Sequence, residues 1–115
     1  MEKIQRCVEN LVEAIRQGET YQKYVRCEKK LHETPELLKQ IDEMRVAAYR
    51  LNNGEGNGDI YAQIEQYEQK FHECRKNPLV NEFLEAELDV CKMMQEIGTC
   101  IQGGVTIRIP KVLYK

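Results

Sequence analysis

The chain has 115 residues, 42% of them hydrophobic and 31% charged, which is enough apolar content for one core in one domain. A formal net charge of −2 with no clustering of Lys and Arg excludes the electrostatic footprint of a nucleic-acid or anionic-membrane binder. No apolar run approaches the roughly 18 residues that a membrane-spanning helix needs.

The first predicted helix covers Lys3 to Gln17, where Ile4, Val8, Leu11 and Ile15 recur at spacings of four, three and four, a narrow apolar stripe at helical period. No apolar h-region of a signal peptide follows Met1 to Arg6, so a cytoplasmic location is expected. Gly18 interrupts the pattern, and Thr20 is the candidate cap of a second helix from Tyr21 to about Glu33, with Tyr24, Cys27 and Leu31 on one face. Thr34-Pro35 pairs a cap residue with Pro at the first helical position. It opens a third helix, Pro35 to Leu51, presenting Leu38, Ile41, Met44, Ala48 and Leu51.

The run from Asn52 to Asp59, rich in Gly and Asn, reads as a flexible connector. Asp59 is placed to cap a helix from Ile60 to Lys76, whose stripe is Ile60, Ile64, Tyr67, Phe71 and Cys74. Asn77-Pro78 repeats the cap-plus-Pro device. The last helix runs from Pro78 to about Gln102, with Leu84, Leu88, Cys91, Met94, Ile97 and Ile101 expected inward. At 1.5 Å per residue it would be nearly 40 Å long. After Gly103-Gly104 the period becomes two, Val105, Ile107 and Ile109 alternating with Thr106 and Arg108, which predicts a short strand at 105–109 that either pairs with something or is disordered. The expected fold is therefore all-α: an elongated antiparallel helical hairpin or bundle of about four to five helices. Its domain is 1–102 with a connector at 52–59, and a C-terminal arm at 103–115 follows. A weak repeat at an offset of 43 residues relates Tyr24 to Tyr67, Leu31 to Cys74, Pro35 to Pro78, Ile41 to Leu84, Ala48 to Cys91 and Leu51 to Met94.

Chemistry-bearing residues are present, but their spacing does not bring them together. The five cysteines, Cys7, Cys27, Cys74, Cys91 and Cys100, contain no Cys-x-x-Cys and do not form a disulfide framework. In a reducing compartment they read as small buried hydrophobes. Metal ligands on one helix must sit three or four apart to converge. Cys27 and His32 are five apart, His72 and Cys74 two, and Cys91 and Cys100 nine. His32 and His72 stand beside Glu33 and Glu73 on charged faces, as solvated residues do. Glu82, Glu85, Glu87 and Asp89 lack the Glu-x-x-His spacing of a di-metal helix. The Asn52–Asp59 run lacks the Lys of a phosphate-binding loop. No catalytic, cofactor-binding or metal-binding residue is assigned.

Two stretches carry a family resemblance. Glu13-Ala14-Ile15, then Glu19-Thr20-Tyr21-Gln22-Lys23-Tyr24, Thr34-Pro35-Glu36-Leu37 and Ile41-Asp42-Glu43-Met44 resemble the YlbF/YmcA family. So does the more specific Asn77-Pro78-Leu79-Val80-Asn81-Glu82-Phe83-Leu84-Glu85-Ala86-Glu87 with its trailing Met93-Met94-Gln95-Glu96-Ile97. The similarity covers residues 1–101 and leaves the tail unmatched. It implies an all-helical, self-associating regulator of competence, sporulation and biofilm formation in Gram-positive bacteria. Some family members act with related subunits and the larger protein YaaT, influencing messenger RNA processing by ribonuclease Y. Certain members also hold iron–sulfur clusters through closely spaced cysteines near the C-terminus, a pattern absent from this chain.

The combined expectation is a non-catalytic regulator acting through protein–protein binding. Its partners are a second copy of itself, related family subunits or a larger protein, with no nucleic acid and no membrane. Five amphipathic helices, one very long, leave apolar stripes that a homodimer would cover. Ile60, Ile64, Tyr67, Phe71, Leu84, Leu88 and Met94 are the expected self-association residues. Asn77, Pro78, Glu82 and Glu85 are weaker partner contacts, and Val105, Ile107 and Ile109 are candidates for strand addition to a partner. The alternative is an enzyme or a metal or iron–sulfur protein whose site is built at a subunit interface. A basic helix face for RNA is missing apart from scattered Lys and the tail cations Arg108, Lys111 and Lys115.

Overall fold

The computed structural model describes residues 1–54 and 58–107. Among them the chain is all-helical: α1 Glu2–Gln17, α2 Glu19–His32, α3 Pro35–Asn52, α4 Ile60–Lys70, α5 His72–Lys76 and α6 Pro78–Gly104. Six helices rather than four to five arise because the expected Ile60–Lys76 helix breaks at Phe71. That residue leaves helical geometry at φ −106° and ψ 12° while its ring is buried, 3% exposed, 5.1 Å from the Tyr67 ring. No Gly or Pro announces the break. It accompanies the burial of Phe71 together with Cys74.

The helix boundaries show which capping signals the chain uses. The Asp59 side chain accepts from the Tyr61 N–H at 3.2 Å, and the Asn77 amide oxygen accepts from the Leu79 N–H at 2.9 Å. Each satisfies one of the orphan donors of a helix N-terminus. Thr34 occupies the corresponding position before α3, but its hydroxyl makes no capping bond; its carbonyl serves instead, accepting from the N–H groups of Leu37 and Leu38. Thr20 is not a cap. It lies inside α2, which begins directly after Gly18. Gly18 is the single extended residue between α1 and α2, with φ −73° and ψ 154°, and a ψ so far from the helical value redirects the axis. The Gln22 side-chain amide donates to the Arg16 carbonyl, and Arg26 pairs with Glu19 at 2.5 Å, bracing the junction. Beyond α3, Gly54 and Gly58 take φ of 66° and 97°, which L side chains rarely adopt.

The core is one cluster around Cys27, Leu31, Ile41, Cys74, Val80, Phe83 and Ala86. Leu31, Ile41 and Val80 are enclosed completely or nearly so, each such burial stabilising by about 1.5–3 kcal/mol. α2 packs along the first half of α6, α3 against α2, α4 and α5, and α5 against α6. No residue of α1 is buried. The expected inward set of α6 is therefore corrected. Val80, Phe83 and Ala86 are its buried residues, whereas Leu88, Met94 and Ile101 are each more than half exposed and Cys91 faces solvent.

α6 also runs through Gly103-Gly104 and ends at Val105, whose φ of −125° and ψ of 98° are extended. No strand occurs among the described residues. Of the expected strand at 105–109, Val105 to Ile107 are exposed, with the Val105 N–H donating to the Ile101 carbonyl as the end of α6, and Arg108 and Ile109 lie outside the described residues. The radius of gyration is 19.3 Å, with extents of 51 × 43 × 18 Å. A compact chain of this length would measure roughly 13 Å. The molecule is a thin, elongated body about two helix layers deep.

Candidate interaction surfaces

Three features of the surface could engage another molecule. The first lies where α2, α3 and α6 meet. Arg45 on α3 reaches Glu87 on α6 at 2.5 Å, and its guanidinium stands 5.5 Å from the centre of the Phe83 ring, within cation–π range. Tyr24 on α2 packs against the same ring, centroids 5.5 Å apart. Its phenol is pushed up to about 12, first by burial and then by the adjoining carboxylates of Glu28 and Glu87, with Arg45 acting in the opposite sense. The cluster closes on itself through the Arg45–Glu87 pair and so fastens three helices together.

The second is a shallow groove between α3 and α4, about 350 Å³, floored by Ala47, Leu51, Tyr67 and Phe71 and rimmed by Arg50 and Lys70. The third is the bare apolar surface of α1 and of the distal half of α6. On α1, Ile4, Val8, Leu11 and Val12 are exposed. On α6 the bare residues are Leu88, Cys91, Met94, Cys100 and Ile101.

The residues expected to mediate self-association are distributed over these surfaces. Ile60 and Ile64 are exposed on α4. Tyr67 is half-buried in the groove, and Phe71 is enclosed within the chain. Leu84 is half-buried against the core, while Leu88 and Met94 are bare. α4 packs on α3 and α5, whereas α6 packs on α2 and α5, so the seven do not converge on one patch. Asn77 is half-buried as the cap of α6, and Pro78, Glu82 and Glu85 are exposed on its first turns. Val105 and Ile107 are exposed beyond its end.

The expected inward set of α6 holds Met94, Ile97 and Ile101 but not Val80, Phe83 and Val90, which continue the same seam toward its start. Positions 80, 83, 87, 90, 94, 97 and 101 alternate three and four apart without interruption, but Glu87 occupies one of them, and its charge hid the stripe. Arg45 resolves the conflict by pairing that carboxylate. The α1 stripe is likewise absent from the expected self-association residues, although Ile4, Val8 and Leu11 are exposed.

Among the described residues no group of three or more His, Cys, Asp or Glu is placed to hold a metal ion. Cys27 and Cys74 are buried, and burial pushes the Cys74 thiol up. Cys7, Cys91 and Cys100 are exposed, so the reading of cysteines as buried hydrophobes holds for two of the five. No described helix is long and apolar enough to cross a membrane.

Comparison with curated proteins and with solved structures gave no match. The family described as "Control of competence regulator ComK, YlbF/YmcA" matches residues 4–106, a span that holds both the helical core and the two bare helix faces, and the chain therefore belongs to the YlbF/YmcA family.

Proposed function

We propose that this protein is a non-catalytic, cytoplasmic regulator that works by binding other proteins, a second copy of itself among them. The observation that carries this reading is the mismatch between the apolar stripes and their cover. α1 buries nothing, and Met94 and Ile101, on the same face of α6 as the core residues Val80 and Phe83, are more than half exposed. Apolar stripes left bare on two helices support an interaction role. The family description, which names control of the competence regulator ComK, supports a regulatory role over a metabolic one. Related family subunits and a larger protein are the proposed further partners. The α3–α4 groove with the neighbouring Ile60 and Ile64, and the exposed start of α6 at Pro78, Glu82 and Glu85, are the surfaces available to them. Val105, Ile107 and Ile109 are the proposed docking strand.

Two experiments test this. Deleting the gene in its native host should change ComK-dependent transcription, and complementation by the wild type should restore it while Ile60→Glu/Ile64→Glu, folded by circular dichroism, should not. Unchanged transcription after deletion contradicts the regulatory reading. Sedimentation equilibrium at micromolar concentration should give at least twice the 13.5 kDa of one chain; a clean monomer contradicts self-association.

A further inference from the structure

We infer that α1 of one copy docks antiparallel along Val90–Ile101 of a second copy, and reciprocally, so that two chains exchange arms in a twofold dimer. The inference rests on the self-association reading above and specifies its surface.

Val80, Phe83, Glu87, Val90, Met94, Ile97 and Ile101 form one seam of α6 at heptad spacing. Its first half is covered by α2. From Val90 onward the seam continues with the same spacing but none of its residues is fully buried. Val90 and Ile97 are half-buried, while Met94 is 51% and Ile101 56% exposed. The helix that would continue the cover is α1, the chain's own extension of α2, but the extended Gly18 redirects it. α1 then presents its own seam, with Ile4, Val8 and Leu11 exposed and Ile15 half-buried.

The two seams fit each other. Read from the N-terminus, α1 steps four, three, four; read backwards from Ile101, α6 also steps four, three, four, through Ile97, Met94 and Val90. Antiparallel docking therefore stacks Ile4 on Ile101, Val8 on Ile97, Leu11 on Met94 and Ile15 on Val90, the partner contributing one residue of each pair. Each seam spans about 17 Å of helix. The residues flanking both seams are uncharged: Gln5, Cys7, Val12 and Ala14 on α1, and Cys91, Met93, Gly98 and Cys100 on α6. The charges Glu2, Lys3, Arg6, Glu9, Glu13 and Arg16 of α1, and Lys92 and Glu96 of α6, fall on the outer positions. A seam with no charge in or beside it suits burial against another apolar seam and gives no handle for an acidic or basic partner.

The area agrees. The chain exposes 9650 Å², where a compact monomer of its mass exposes roughly 6500 Å². An allowance of about 2000 Å² for the residues outside the described ones still leaves more surplus than the roughly 800 Å² per partner of a standard interface.

The docked arrangement places Cys7 of one copy beside Cys100 of the other, since both flank their seams on the same side of an antiparallel pair and lie two residues, about 3 Å, apart along the axis. Treatment of the full-length protein with a short bis-maleimide, read on a denaturing gel and by peptide mass mapping, should yield a covalent dimer linked Cys7 to Cys100. The link should be lost in Cys7→Ser and in Cys100→Ser and kept in Cys91→Ser. In parallel, Leu11→Glu and Met94→Glu, which alter no buried residue, should keep wild-type helicity and weaken self-association by at least about tenfold. A Cys7–Cys100 link within one chain, at monomer mass, overturns the exchange by showing α1 closed on its own α6. A dimer in sedimentation that yields no Cys7–Cys100 link and ignores both Glu variants sinks this surface while leaving self-association standing. A monomeric wild type sinks self-association and the exchange together.

Discussion

The two halves of α6 share one heptad seam and differ in what covers it. Val80, Phe83 and Ala86 are buried against the chain's own α2 and the helices around it; Met94 and Ile101 carry the same spacing into solvent. Periodicity therefore reports which face of a helix is apolar, and the partner that hides this face is a separate fact, set by where the neighbouring helix turns away. Here a single residue, Gly18, makes that difference.

The comparison breaks most readily under truncation. Leu31→Ala, Phe83→Ala or Val80→Ala should cost about 2–5 kcal/mol in urea denaturation, because each leaves a cavity in an enclosed cluster. Met94→Ala and Ile101→Ala, measured at dilutions where the chain is monomeric, should cost less than about 0.5 kcal/mol. Equal losses in the two sets would erase the distinction between covered and bare seam.

The capping residues sharpen it at the entry to α6. Asn77→Ala should destabilise by about 1 kcal/mol, since its amide oxygen holds the Leu79 N–H. Thr34→Ala, whose hydroxyl caps nothing, should shift stability by less than about 0.5 kcal/mol. Chemical unfolding of the two variants separates a working cap from a cap by position only.

Two smaller effects read the same division chemically. Cys7, Cys91 and Cys100 should react quickly with a thiol reagent in the native monomer, and Cys27 and Cys74 only on unfolding. At alkaline pH, Tyr24 should contribute a modest change. Its pKa is raised from 10.0 to about 12 in the folded chain, so the unfolded chain loses that proton first. The associated stability is intact below pH 10 and is lost as pH rises toward about 12. Ultraviolet titration should show Tyr24 ionising late, and Tyr24→Phe should remove that late step.

Much of this architecture was legible in the residues. The apolar spacing of α1, the Pro35 and Pro78 starts and the Asp59 and Asn77 caps placed most boundaries within two residues, because those signals act locally. The offset of 43 is visible in structure where it concerns turns and core: Pro35 and Pro78 each open a helix, and Leu31 and Cys74 are both buried. It fails toward the distal end, where Ala48 and Leu51 are half-buried but Cys91 and Met94 are bare. The break at Phe71 was not legible, since it accompanies the tertiary burial of a ring and no breaker residue marks it. The rotation of α6 was not legible either, because a charged residue can sit in a buried seam only when a distant partner neutralises it, and Arg45 is 42 positions away.

Backbone hydrogen exchange as a function of protein concentration tests the central claim most directly. The amides of 79–90 should be slow at every concentration, while those of 4–15 and 91–101 should gain protection together as the protein is concentrated. Protection of 4–15 and 91–101 that is independent of concentration, whether high or absent, would contradict an account in which a second chain covers them.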